Sequence, residues 1–166
     1  MIPFVPLEGA TVDDAVRLAG LTGERLAKEL SLPVYFYEDA ARRPERRPLP
    51  AVRNLGFEEL GRLAASDPAT WGPDLGPARL HPTGGGVCVG ARFFLVAFNV
   101  DLESDDLDLA RRIARELRES SGGLPAVRAK GFRLATRGRV QVSMNLLDYR
   151  VTGIARAFRE VERRAA

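Results

Sequence analysis

The stretch His81-Pro82-Thr83-Gly84-Gly85-Gly86 sets the only histidine of the sequence beside three consecutive glycines, just before the apolar run 87–100. Glycines are tolerated best where backbone must bend tightly or touch a ligand, so a phosphate-cradling loop is the first chemistry to test. It fails twice. Gly85 and Gly90 have P-loop spacing, but Ala91 and Arg92 stand where a lysine and a Ser/Thr must reach phosphate and Mg²⁺. Read as G-x-G-x-x-G from Gly84, the third glycine position holds Val89. Two readings remain: a flexible linker between subdomains, or a backbone surface that a flat ligand can approach. His81 is either a general base or, with no partner evident in the sequence, an ordinary hydrogen-bonding loop residue.

Two other groups could do chemistry. Arg42, Arg43, Arg46, Arg47 and Arg53 crowd one proline-rich segment. They form either a solvated face or a docking site for carboxylates and phosphates, which the guanidinium fork suits. On a strand, Gln141, Ser143 and Asn145 share one face while Val142, Met144 and Leu146 share the other. Solvent faces favour Lys, Glu and Arg, so an uncharged Gln/Ser/Asn row suits the wall of a cleft, to which Asn99 and Asp101 could add. The sequence has no H-E-x-x-H, Cys/His cluster, G-x-S-x-G or paired-carboxylate motif, so no metal site is expected.

The elements that must position these residues follow from periodicity. IPFVPL (2–7) reads as a strand, and Thr11 with Asp14 as a capping-box start for a helix over 12–30. PVYFY (33–37) is a strand, 57–65 a short helix, and 66–86 a long loop, of the kind that tends to be functional. The run 91–100 reads as a buried strand. Ser104 is the expected cap of a helix striped by Leu107, Ala110, Ile113, Ala114 and Leu117, which Gly122-Gly123 end. AVRAKGFRLAT and RVQVSMNLL form a hairpin turning near Arg137-Gly138, and a last helix carries Ile154, Phe158 and Val161 on one face. From residue 91 the order is β-α-β-β-α, a ferredoxin-like unit without its closing strand. A boundary falls near residue 87.

Composition bounds the class. With 166 residues, 45% hydrophobic and 28% charged, the chain is long enough for one domain or two small subdomains. A single cysteine, Cys88, excludes an internal disulfide framework and fits a reducing cytoplasm. No apolar stretch approaches the roughly 20 residues that span a bilayer, and no signal peptide is expected at MIPFVPLEG. The net charge of +3 is a mild excess that allows an anionic ligand without requiring one. Nucleic acid is not expected as a partner, since no aromatics interleave with the arginines.

Taken together, PFVPLEGAT, LPVYFYEDAA, LPAVRN, PDLGPARLHPTGGGVCVGAR, FFLVAFNV and QVSMNLLDY resemble the glutamate formiminotransferase family, in order and over essentially the whole chain. The resemblance implies an α/β (α+β) chain of two ferredoxin-like mixed-sheet subdomains. Both would be incomplete, with helices on one face and a cleft between the sheets. Residues 1–87 would be the latter part of the N-terminal formiminotransferase subdomain and 88–166 most of the C-terminal one. It further implies transfer of the formimino group between N-formimino-L-glutamate and tetrahydrofolate, the co-substrate, in histidine degradation and one-carbon metabolism.

The segment corresponding to the family's folate-binding stretch is Gly76, Pro77, Ala78, Arg79, Leu80, His81, Pro82, Thr83, Gly84 and Gly85. Asn99, Gln141, Ser143 and Asn145 would line the cleft. The family's acid/base histidine belongs to a His-Pro-Arg-type motif upstream of the PFVP strand, where this sequence starts. No catalytic residue is therefore expected in this chain, and weak or absent activity is expected of it alone. The mechanism implied for the family is attack of a folate nitrogen on the formimino carbon, with a proton delivered to the departing glutamate nitrogen. A non-catalytic folate-binding or partner-binding module is the alternative, and a homodimer is compatible with either.

Overall fold

The structure, a computed structural model, describes residues 1–165. Its backbone divides into two units, Met1–Phe93 and Phe94–Ala166, each with its own three-stranded sheet among the described residues. This mixed α/β organisation is consistent with two incomplete ferredoxin-like subdomains.

In the first unit, β1 (Ile2–Phe4), β3 (Val87–Ala91) and β2 (Val34–Glu38) lie in the order β1-β3-β2, all parallel. α1 (Val12–Leu30) begins at the expected capping box. The Thr11 hydroxyl accepts from Asp14 N–H, and the Asp14 carboxylate accepts from Thr11 N–H. It packs on one sheet face with Ala19, Val34, Phe36 and Val89 at the centre. On the opposite face Tyr35 packs with Val52 of α2 (Leu49–Arg53) and Leu60 of α3 (Gly56–Ser66). Parallel sheets are normally covered on both faces, which is why four consecutive residues of β2, Val34 to Tyr37, are all buried.

Several expectations are corrected here. The strand expected over 2–7 stops at Phe4. The loop 66–86 is not structureless. It holds a short helix, α4 (Pro68–Trp71), and bridges from Val34 to Leu75 and from His81 to Gly85. The strand expected over 91–100 is two strands, β3 and β4 (Val96–Leu102), separated where the units divide. Glycine hid β3: at Gly90 a Cβ would lie 2.6 Å from the Tyr37 ring, so the strand pattern lapses there for a packing reason.

The second unit follows the expected β-α-β-β-α order: β4, α5 (Leu107–Leu117), β5 (Val127–Leu134), β6 (Arg139–Leu146) and α6 (Ile154–Ala165). Its antiparallel sheet runs β4-β6-β5, with Asn99 opposite Ser143 and Ser143 opposite Lys130. Ala110, Ile113, Ala114 and Leu117 bury the stripe of α5 against Val127, Val140, Val142, Met144 and Leu146. Three local details differ from the sequence reading. Asp106, not Ser104, caps α5, its carboxylate accepting from Asp108 and Leu109 N–H, while the Ser104 hydroxyl accepts from Asp106 N–H. α5 ends at Leu117, and Gly122 closes a following 3₁₀ turn. On α6 the buried face is Ala157 and Val161, whereas Ile154 and Phe158 stand 46% and 44% exposed.

Candidate functional site

Two surfaces gather the residues singled out by the sequence, one in each unit. In the first, the segment 76–86 forms a closed tongue. His81 and Gly85 exchange both backbone hydrogen bonds, at 2.9 and 2.8 Å. The ring of His81 folds back over the turn, and its Nδ1 accepts from Gly84 N–H at 3.0 Å and Thr83 N–H at 3.3 Å. Backbone N–H groups only donate, so Nδ1 carries no proton in this arrangement and the neutral ring holds it on Nε2. His81 therefore braces the loop and offers a donor. In this state it has no free lone pair with which to abstract a proton.

The glycines have internal work. Gly85 sits at φ +65°, a left-handed backbone that glycine adopts without strain. At Gly86 a Cβ would stand 2.9 Å from Tyr35 Cε2 and 3.2 Å from Leu80 Cδ2. The base of the tongue is thus pressed onto Tyr35. Pro77, Ala78, Arg79, Pro82, Thr83 and Gly84 are exposed, as is Gly76. Beside them Phe57, 49% exposed, lies where a Cβ on Gly85 would meet its ring at 3.6 Å. Phe57 was not marked by the sequence reading, which placed it inside a short helix. Only its exposure beside the tongue distinguishes it.

The arginine cluster proves to be mainly structural. Arg46 is fully buried. It donates from Nε to the Thr70 carbonyl at 3.1 Å, from Nη2 to the Thr70 and Gly72 carbonyls, and from Nη1 to Asp74 at 3.4 Å. Arg43 donates to the same two carbonyls, at 3.0 and 3.1 Å. Asp74 also accepts from Phe36 N–H at 2.8 Å, which ties the loop to the outer edge of β2. Burial pushes the Arg46 guanidinium pKa down while the Asp74 charge pulls it back up. Arg47 pairs with Asp39 at 2.8 Å, and Arg42 lies over the Phe36 ring. Arg46, fully buried and bonded internally, is closed to an external anion.

In the second unit the alternation along β6 places Gln141, Ser143 and Asn145 on the face opposite Val142, Met144 and Leu146, which are buried. By register the same face carries Ala97, Asn99 and Asp101 from β4 and Arg128, Lys130 and Phe132 from β5. Rows run Asn99–Ser143–Lys130 and Asp101–Gln141–Phe132 across the sheet. Gln141 Nε2 donates to Asp101 at 2.7 Å, and Asp101 also pairs with Arg137 at 3.3 Å. The face therefore has Ser143 and its neighbouring amides along the central strand, with Arg128, Lys130 and the exposed aromatic Phe132 on the β5 side. The β5 residues were missed, although V-R-A-K-G-F alternates in the same way as β6 and was available to the same argument.

Among the described residues no group of three or more His, Cys, Asp and Glu could hold a metal ion. No helix there is long and apolar enough to cross a membrane.

Two α/β units, each with a three-stranded sheet among the described residues, define the class of fold. Comparison with known proteins narrows it. Residues 1–92 match the formiminotransferase domain, N-terminal subdomain, and residues 97–166 match the formiminotransferase domain. The chain therefore belongs to the formiminotransferase domain family. It is 41% identical over 166 residues to a glutamate formimidoyltransferase of Thermoplasma acidophilum, covering 100% of this chain and 54% of that protein. It is 40% identical over 161 residues to one of Streptococcus pyogenes, covering 96% of this chain and 53% of the relative. It is 44% identical over 169 residues to the formimidoyltransferase-cyclodeaminase of Sus scrofa, covering 98% of this chain and 31% of the relative. The chain spans about half the length of the two formimidoyltransferases.

Proposed function

We propose that this chain is a folate-binding portion of a glutamate formimidoyltransferase that works in the cytoplasm on histidine-derived N-formimino-L-glutamate and tetrahydrofolate. On this reading the first unit, with β3 in its sheet, is the latter part of the N-terminal formiminotransferase subdomain and the second unit most of the C-terminal one, so the boundary expected near residue 87 falls a few residues later. The observation that carries it is similarity to proteins named for this activity across both units at once.

The tongue fits a flat, partly apolar ligand on one local observation: an exposed aromatic, Phe57, stands beside an exposed apex at Pro82, Thr83 and Gly84. We assign the folate contact to the segment Gly76–Gly85, with Phe57 offering a stacking surface and His81 Nε2–H a hydrogen-bond donor. Asn99, Gln141, Ser143 and Asn145, with Lys130 among them, are assigned to polar groups of the substrates. A folate, when bound, supplies the nucleophilic nitrogen that takes the formimino group. The residues of this chain position and hold. Orientation of two reactants is itself a large part of catalysis. Proton transfer to the departing glutamate nitrogen is left to a group other than His81, because its Nδ1 is committed to the loop. The same commitment favours a second reading, a binding module without turnover.

Calorimetric titration of the chain with a reduced folate tests the proposal. Saturable binding is expected, weakened about fivefold or more in Phe57→Ala, since a lost aromatic stack is worth roughly 1 kcal/mol. Arg79→Ala, at an exposed tongue position, reports the same surface. Turnover of N-formimino-L-glutamate separates the two readings. A folded chain that takes up no reduced folate refutes both.

A further inference from the structure

The tongue, residues 76–86, leaves and rejoins the sheet of the first unit at one place, the start of β2. Its exit runs directly into β3, where Val87 N–H donates to the Pro33 carbonyl at 2.9 Å and the register sets Val87 beside Val34. Its entry lies on the other side of Val34, at the outer edge of β2. There Val34 N–H donates to the Leu75 carbonyl at 2.9 Å, and Asp74 N–H donates to the Val34 carbonyl at 2.8 Å. Gly76 then turns the chain away at φ +85°, where a Cβ would stand 2.5 Å from the Leu32 carbonyl oxygen. A strand fixes the exit, whereas the entry has only a short bridge.

One bridge does not hold a register, and the next rung along that edge is a side chain. The N–H groups on the outer edge of β2 recur at every second residue. Val34 donates to Leu75, Phe36 to the Asp74 carboxylate at 2.8 Å, and Glu38 to the Arg47 carbonyl at 2.8 Å. Asp74 thus supplies from its side chain the acceptor that a neighbouring strand would supply from its backbone. That side chain is 2% exposed, and the oxygen that takes the Phe36 amide, Oδ2, also takes Arg46 Nη1 at 3.4 Å. Arg46 in turn lies over the Tyr35 ring, 5.2 Å from its centroid. Tyr35 is the floor of the tongue: Leu80 packs into the cluster of Tyr35, Val52 and Leu60, and Gly86 presses on the ring.

We propose that Asp74, held in place by Arg46, is a positioning residue for the folate-binding tongue. It touches no ligand. Its carboxylate oxygen sets the register of Asp74 and Leu75 on β2, and with it the point and direction in which the tongue leaves the sheet. Leu80 is thereby seated on Tyr35, and the apex at Pro82, Thr83 and Gly84 is held beside Phe57. A site works only when its supporting shell fixes the groups that meet the ligand. The proposal rests on the folate reading for the identity of the ligand alone, because the seating of the tongue is a property of the free chain.

Two substitutions at this one position pull charge and geometry apart. Asp74→Asn removes the charge but keeps an oxygen for the Phe36 amide and Arg46. Asp74→Glu keeps the charge but carries it one methylene further out, which displaces the rung. Two readouts are taken at a temperature where every variant is folded: anaerobic titration with tetrahydrofolate, and, in the free chain, nuclear Overhauser cross-peaks between the Leu80 methyls and the Tyr35 ring. Asp74→Asn should keep the cross-peaks and weaken binding by no more than about threefold, whereas Asp74→Glu should lose them and weaken it about tenfold or more. Should Asp74→Glu not fold, Asp74→Ser, too short to reach the Phe36 amide, replaces it with the same expectation. Val89→Ala, a fully buried change on the α1 face of the sheet, should lower stability and leave both readouts as in the wild type. The reverse order, or equal behaviour of the Asn and Glu variants, would make the pair a structural ion pair only and overturn the proposal. So would a loss in Val89→Ala as large as that in Asp74→Glu, since binding would then simply follow stability. If the wild-type chain takes up no tetrahydrofolate, the functional reading falls and the cross-peaks alone decide whether Asp74 seats the tongue.

Discussion

The largest fully buried side chain of the first unit is a cation, Arg46, whereas the interior of the second, from Leu102 to Val161, is apolar but for one neutral hydroxyl, Thr152. The difference follows from connectivity. The first unit links β2 to β3 through residues 39–86, a traverse of short helices and turns whose carbonyls would otherwise be stranded beneath the surface. Arg43 and Arg46 gather two of those carbonyls, and Asp74 balances the charge while capping the edge of β2. The second unit closes its sheet with a hairpin and covers it with two regular helices, so apolar packing and one neutral bond, from the buried Thr152 hydroxyl to the Pro125 carbonyl at 2.7 Å, suffice. The long parallel connection is held by a buried charge, while among the described residues the antiparallel unit buries only a neutral hydroxyl.

The largest effect expected from this contrast is at the clasp. Asp74→Ala leaves the buried Arg46 without its carboxylate and the Phe36 amide without its acceptor. Removing one member of a buried ion pair costs about 3–5 kcal/mol. Leu117→Ala, in the second core, should cost about 2–5 kcal/mol by leaving a cavity. Denaturant unfolding followed by segment-resolved hydrogen exchange should show each variant lowering protection in its own unit. Equal loss in both units from either variant would show one cooperative block and break the comparison.

How much of this was legible in the sequence also divides along the same line. The α5 stripe, the hairpin and the β6 alternation depend on neighbours a few residues apart, and periodicity revealed them. The capping box at Thr11 and Asp14 was readable for the same reason. β3 was missed because Gly90 makes room for the Tyr37 ring, a residue far away in the chain. The arginines read as either a solvated face or a docking site because the partners of Arg43 and Arg46, namely Thr70, Gly72 and Asp74, lie more than twenty residues downstream. The bracing of His81 by its own loop needs the tongue's fold, which glycine composition alone does not specify. Exposure of Ile154 and Phe158 was invisible too, since a helical stripe shows which residues are apolar and not how far the sheet beneath extends.

A second, smaller effect should separate the units at high pH. The Tyr35 hydroxyl is buried without a hydrogen-bond partner, and desolvation pushes its pKa up to about 12 from the ordinary 10.0. Burial likewise pushes Tyr37 and the Cys88 thiol up. An acid whose folded pKa is raised contributes stability that is present below its unfolded pKa and lost as pH rises through the folded value. The first unit should therefore weaken between about pH 9 and 12 while the second holds. Tyr35→Phe should reduce that loss, and it should be neutral or mildly stabilising at pH 7, because the orphaned hydroxyl goes with it. A second unit that melts first in alkali would contradict the assignment of the base-sensitive groups.

The finest test compares the two helix starts. α1 is closed by a reciprocal box between Thr11 and Asp14, and α5 by the Asp106 carboxylate alone. Losing either cap, as Thr11→Ala or Asp106→Ala, should cost about 1 kcal/mol in its own unit. The acid response should differ. Hydrogen bonds from the Thr11 backbone N–H and hydroxyl hold the Asp14 carboxyl below its ordinary pKa of 3.8. A depressed folded pKa gives stability that is present above the unfolded value and lost as pH falls through the folded one. The Asp14 contribution should thus be intact at pH 5 and disappear below about pH 4. Without the threonine hydroxyl the carboxylate keeps only the backbone donor, so Thr11→Ala should flatten the acid limb of the first unit's stability profile while lowering its plateau. A uniform drop at every pH would mean that the hydroxyl caps the helix without coupling to Asp14, so that the reciprocal box adds nothing beyond the cap itself.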